Sequence, residues 1–133
     1  MKHVKNVFVV DDDQVTTFVT ERLIKQFDKD CKITSFNDPQ EALEVLYKIK
    51  NNNSAPLPEV VLLDFNMPGL NGFEFLEKMR SEGLDKDVQV VMYTSSDRVE
   101  DKSKSTAYGN VIGYMEKPFS ASVFGKILDG FPY

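Results

Sequence analysis

Apolar residues along this chain fall into two alternating rhythms. Short, nearly unbroken runs occur at Val4 to Val10, Ile33 to Phe36, Val60 to Leu63, Val88 to Tyr93 and Val111 to Met115. Each is bounded by Gly, Pro, Asp, Asn or Ser, which predicts strands. Val60-Val61-Leu62-Leu63 is apolar throughout, the mark of a strand buried on both faces of a helix-covered parallel sheet. Between the runs, apolar residues recur every three or four positions. Gln14 to Phe27 carries Val15, Phe18, Val19, Leu23 and Phe27, predicting an amphipathic helix that buries that stripe. A second helix starts at Asp38-Pro39-Gln40-Glu41, with Asp38 as cap, proline at the first helical position and Glu41 completing a capping-box pattern. Its stripe is Ala42, Leu43, Leu46 and Ile49. A third is predicted over Gly72 to Arg80, with Phe73, Leu76 and Met79 or Arg80 near one face. A fourth, Asp97 to Tyr108, has the mediocre formers Ser103, Ser105 and Thr106 inside it and stops at Gly109. Ser120 caps a last short helix bearing Val123, Phe124, Ile127 and Leu128.

Strand and helix therefore alternate five times. The pattern predicts an α/β fold, a five-stranded parallel sheet with right-handed crossovers and helices on both faces. Ligands in such sheets bind outside the carboxyl ends of the strands. Four strands end in a polar group able to face one crevice: Asp11 and Asp12, Asp64, Thr94, and Lys117. The second strand contributes none, as expected of an edge strand.

At 133 residues the chain is about one domain. The polar loop Asn51 to Pro58 reads as a surface connection, since neither flank could bury a core alone. Hydrophobic residues at 41% and charged ones at 28% fit a soluble globule. No apolar run approaches the roughly 18 residues that span a bilayer. No secretory signal is visible, and one cysteine, Cys31, excludes an internal disulfide. A cytoplasmic location is the expectation. A net charge of −5 without a basic run argues against nucleic-acid binding.

Three carboxylates converging in one crevice repel each other, which a divalent cation relieves. Carboxylates suit a hard ion such as Mg²⁺, which shares its shell with waters and phosphate oxygens. Lys117 adds a positive charge and Thr94 a hydroxyl, both suited to phosphoryl oxygens. An aspartate can itself be the nucleophile and form an acyl phosphate. The set reads as phosphoryl transfer to Asp64.

Asp11-Asp12 after an apolar strand, Asp64 in LLDFNMPGLNGFEFL, Thr94-Ser95 after VVMY, and Gly113-Tyr114-Met115-Glu116-Lys117-Pro118-Phe119 together resemble the receiver domain of two-component response regulators. The resemblance covers nearly the whole chain, in order. It implies a flavodoxin-like doubly wound sheet of order 2-1-3-4-5. It implies that Asp64 accepts a phosphoryl group from a histidine kinase or histidine phosphotransfer protein. Asp11, Asp12, Asp64 and the backbone carbonyl of Asn66 would hold Mg²⁺, Asp11 mainly through water. Thr94 and Lys117 would contact the phosphoryl oxygens, and Tyr114 would be the aromatic that turns inward when Thr94 moves. It also suggests a cis peptide at Lys117-Pro118. Two departures stand out: Asn71 where aspartate is usual before Gly72, and Asp13, an extra charge beside the metal ligands, expected to point to solvent.

The expected role is a stand-alone phosphoacceptor switch, a single receiver domain over residues 1–133 with no output domain, and not an enzyme in the ordinary sense. It would act on an unknown downstream protein through a surface around the fourth helix, fifth strand and last helix, as a monomer or weak dimer, away from membranes and nucleic acid. The fourth helix buries little beyond Val99, Thr106, Ala107 and Tyr108, so it is the expected element with two arrangements. Two other readings compete. Asp11-x-Asp13 with Thr94 and Lys117 imitates haloacid dehalogenase-like phosphatases, although the acidic pair that family needs after the lysine is reduced to Asp129 and Asp64 is left unexplained. A receiver-like binding module that is never phosphorylated is the other; the complete acid set and Lys117 argue against it.

Overall fold

In the computed structural model, residues 4–65, 67–94, 104–105 and 107–130 are described. The strands are β1 (Asn6–Val10), β2 (Lys32–Phe36), β3 (Val60–Leu63), β4 (Gln89–Thr94) and β5 (Val111–Glu116). The helices are α1 (Gln14–Phe27), α2 (Pro39–Asn52), α3 (Gly72–Ser81) and α4 (Ala121–Leu128), with a 3-10 turn at Leu84–Lys86. All pairings are parallel and the strand order is β2-β1-β3-β4-β5, as expected. Of the predicted fourth helix, Asp97 to Tyr108, only Lys104, Ser105, Ala107 and Tyr108 lie within the described residues, and the first two are helical.

Alternation along the strands sends side chains to two cores. Val61, Leu63, Val90, Met92 and Tyr114 face α2 and α3, where Leu46, Phe75, Leu76 and Met79 are buried. Val60, Leu62, Val91, Tyr93 and Met115 face the opposite way, against Ile24 of α1 and Phe124 and Ile127 of α4. β5 and α4 approach closely: a Cβ on Gly113 would lie 2.7 Å from Ile127 Cγ2. Cys31, between α1 and β2, is 1% exposed, and burial pushes its thiol up to about 11.

Helix α1 buries a different face from the expected one. Val15, Phe18 and Val19 are 74%, 60% and 41% exposed, while Thr20 and Ile24 are buried. Leu23 and Phe27 do pack against the core, so the predicted stripe holds only in the C-terminal half. Thr20 replaces an apolar residue in the N-terminal half because its hydroxyl has a buried partner, Tyr93 Oη, at 2.9 Å. The reciprocal capping box also sits elsewhere. Asp38 accepts from Gln40 N, whereas Asn71 and Glu74 of α3 form the full box.

Candidate functional site

Ladder continuation sets the site. Val10 pairs with Leu63 in the β1–β3 register, so the next residues, Asp11 and Asp64, leave adjacent strands side by side. The Asp64 N–H donates to Val10 O at 2.9 Å, and the Asp11 N–H donates to Phe36 O at 3.0 Å. Neither backbone is free to swing. Leu63 pairs in turn with Met92, and Thr94 ends β4 fully buried. The Lys117 N–H donates to Thr94 O at 2.7 Å, tying the end of β5 to the same edge, and the Lys117–Pro118 peptide is cis as expected.

One carboxylate oxygen from each of Asp11, Asp12 and Asp64 lies within 4.8 Å of the other two. Asp11 and Asp64 are buried and Asp12 is exposed. Lys117 bridges the buried pair, with Nζ 2.8 Å from Asp11 Oδ2 and 3.2 Å from Asp64 Oδ2. Desolvation works against the Lys117 charge, but the close Asp11 carboxylate and the Asp64 charge outweigh it and hold the ammonium above the usual lysine range. The lysine thus neutralises the acids as well as offering a charge to a ligand, a double duty that its position in the sequence did not announce.

The three oxygens fit a divalent cation. Octahedral Mg²⁺ places neighbouring oxygens about 3 Å apart and opposite ones about 4 Å apart, so a small closing of these side chains suffices. Asp12 supplies the exposed arm of such a set. Asn66, whose carbonyl was expected to join it, lies outside the described residues.

Tyr114 is 5% exposed and already turned inward, packed in the core that contains Met92. Asp13 is exposed as expected, but it has a structural role: it is the N-cap of α1, accepting from Val15 N at 3.0 Å and from Thr16 Oγ1 at 2.8 Å. The Thr16 hydroxyl bond, followed by its N–H, lowers the Asp13 pKa. Asn71 caps α3, so the departure from aspartate is accommodated. Asp129, the last acid of the phosphatase reading, is the exposed C-cap of α4.

A family model described as the response regulator receiver domain matches residues 7–129. The chain belongs to this family. The receiver domain is 30% identical to the Arabidopsis thaliana two-component response regulator ARR17 over 132 residues, 96% of this chain and 84% of that protein. It is 34% identical over 70 residues to the Escherichia coli phosphate regulon transcriptional regulatory protein PhoB, and that match covers 53% of this chain and 30% of PhoB. The receiver domain thus spans under a third of the length of the first curated relatives it matches. A crystal structure of a two-component response regulator from Cytophaga hutchinsonii shares its fold, with a TM-score of 0.85, 23% identity and 96% coverage of both chains. Family membership makes this a phosphoacceptor signalling domain, and not a typical enzyme.

Proposed function

We propose that this receiver domain takes a phosphoryl group on Asp64, in a Mg²⁺-dependent reaction, from a histidine kinase or histidine phosphotransfer protein. The observation that carries the reading is the bridging of Asp11 and Asp64 by Lys117 beside a third carboxylate. An Asp64 carboxylate oxygen forms the new P–O bond. The P–N bond to the donor imidazole breaks, and the ring nitrogen keeps the electron pair. Asp11, Asp12 and Asp64 would hold Mg²⁺, whose charge offsets that of the phosphoryl oxygens. Lys117 is placed to move from Asp64 to one of those oxygens while keeping Asp11, and Thr94 lies at the same strand edge.

Asp64 is favoured over Asp11 as acceptor on geometry. Asp11 Oδ2 is buried against the Lys117 ammonium, and Asp13 is occupied as a helix cap, so the Asp-x-Asp pair of a phosphatase does not face one substrate. The phosphoryl group then biases a partner surface made of residues 97–108, β5 and α4, through Thr94 and Tyr114. The domain would work in the cytoplasm as a monomer or weak dimer. Acetyl phosphate with Mg²⁺, followed by intact-mass measurement, tests the reading. One phosphoryl adduct is expected, lost in Asp64→Asn and absent with chelator. An adduct that survives Asp64→Asn at an unchanged rate would overturn it.

A further inference from the structure

The face of β4 opposite the α2–α3 core carries a polar group with no part in the phosphoryl-transfer reading. Tyr93, next to Thr94, is fully buried among apolar neighbours that include Val91, Met115 and Phe119. An apolar side chain would suit that space with less desolvation cost, since a buried hydroxyl must find partners. Its partner is Thr20 of α1, whose Oγ1 lies 2.9 Å from Tyr93 Oη. The Lys117 ammonium meanwhile lies 5.5 Å from the Tyr93 ring centroid, within cation–π range.

Tyr93 therefore links Lys117 to α1. Its ring flanks the Lys117 charge, and its hydroxyl is anchored on Thr20 of α1, the helix that begins just after Asp11 and Asp12. The adjacent Thr94 carbonyl holds the Lys117 N–H.

We propose that Tyr93 is a positioning residue for Lys117: its hydroxyl is anchored on Thr20 of α1 and its ring confines the ammonium, so that Lys117 is held between Asp11 and Asp64. This rests on the reading in which Lys117 assists phosphoryl transfer to Asp64. The test uses Tyr93→Phe, which keeps the ring and removes its anchor, alone and combined with Lys117→Ala. Two quantities are read: the rate of adduct formation from acetyl phosphate with Mg²⁺, and hydrogen exchange at the Lys117 amide, which donates to Thr94 O. Tyr93→Phe should slow the adduct roughly two- to tenfold, the range one hydrogen bond supplies. It should speed Lys117 exchange while β3 amides keep their protection. In the Lys117→Ala background it should add no further slowing, because a positioning residue acts only through the group it positions. Equal slowing in both backgrounds, or an unchanged rate and Lys117 exchange, would overturn the proposal. If the unsubstituted protein forms no adduct at all, the phosphoacceptor reading fails; Lys117 exchange then still decides whether the anchored ring holds the lysine.

Discussion

Replacing Lys117 by methionine keeps most of its volume and removes one charge from between two carboxylates. The contacts are 2.8 Å to Asp11 and 3.2 Å to Asp64, with the Asp11 side chain fully buried and Asp64 nearly so. At an effective dielectric of about 20 these attractions are about 6 and about 5 kcal/mol before opposing terms. Desolvation of the ammonium and the ordering of its long side chain offset much of that. What the substitution leaves behind decides the outcome: two adjacent buried acids with no counter-charge. Breaking a buried pair in this way costs about 3–5 kcal/mol. Metal-free Lys117→Met should therefore lose about 3 kcal/mol or more in a urea titration, with its midpoint lowered at unchanged slope. Mg²⁺ should repair part of the loss, because a cation held by the same acids restores the missing charge; at a hundred times its Kd it adds about 2.7 kcal/mol. Adding Asp64→Asn should also recover stability in the methionine background. A metal-free variant that unfolds at the parental midpoint would refute the argument, as would one indifferent to Mg²⁺.

Three further outcomes are expected. Gly113→Ala sets a methyl against the buried, β-branched Ile127 and should cost about 1–3 kcal/mol in thermal or urea unfolding. Phe18→Ser should change stability by less than about 0.5 kcal/mol, against about 2–5 kcal/mol for Ile24→Ala, because α1 buries the second residue and not the first. The alkaline limb should depend on Tyr93. Burial raises its pKa above 10.0, against the Thr20 bond, the Lys117 charge and the Phe119 N–H, with Asp11 adding to the rise. A raised folded pKa gives stability that is complete below the unfolded value and lost as pH climbs through the folded one. Unfolding measured across that window should fall more steeply for the parent than for Tyr93→Phe.

Much of this could be read from the chain because backbone geometry and side-chain period coincide. Val60 to Leu63, apolar throughout and bounded by Pro58 and Asp64, reads as a doubly buried strand, and once strands alternate with helices their carboxyl ends converge, bringing Asp11, Asp64, Thr94 and Lys117 to one edge. The error on α1 has one cause. Val15, Phe18 and Val19 repeat at helical spacing, so periodicity marks them as core, yet spacing does not say which face of a helix meets the sheet. That was decided by Thr20 and Tyr93, 73 residues apart, whose hydroxyls satisfy each other. Lys117 looked like a ligand for phosphoryl oxygens, and its ion pairs with Asp11 and Asp64 required coordinates. Asp13, by contrast, could have been found: it directly precedes a helix predicted from Gln14, the position where an aspartate caps.

The buried thiol of Cys31 gives the protein a chemical clock. Only a thiolate reacts with alkylating and disulfide reagents, and a 1% exposed thiol pushed up to about 11 is sheltered twice, by access and by ionisation. Modification must therefore wait for the junction of α1 and β2 to open. Because no other cysteine competes for reagent, the labelling rate in native buffer counts those openings directly. The edge of the sheet farthest from Lys117 thus has a reporter just before its strand β2. A phosphoryl group on Asp64 that tightened the entire sheet would slow the clock, and one that acted only toward β5 would leave it running at the same pace.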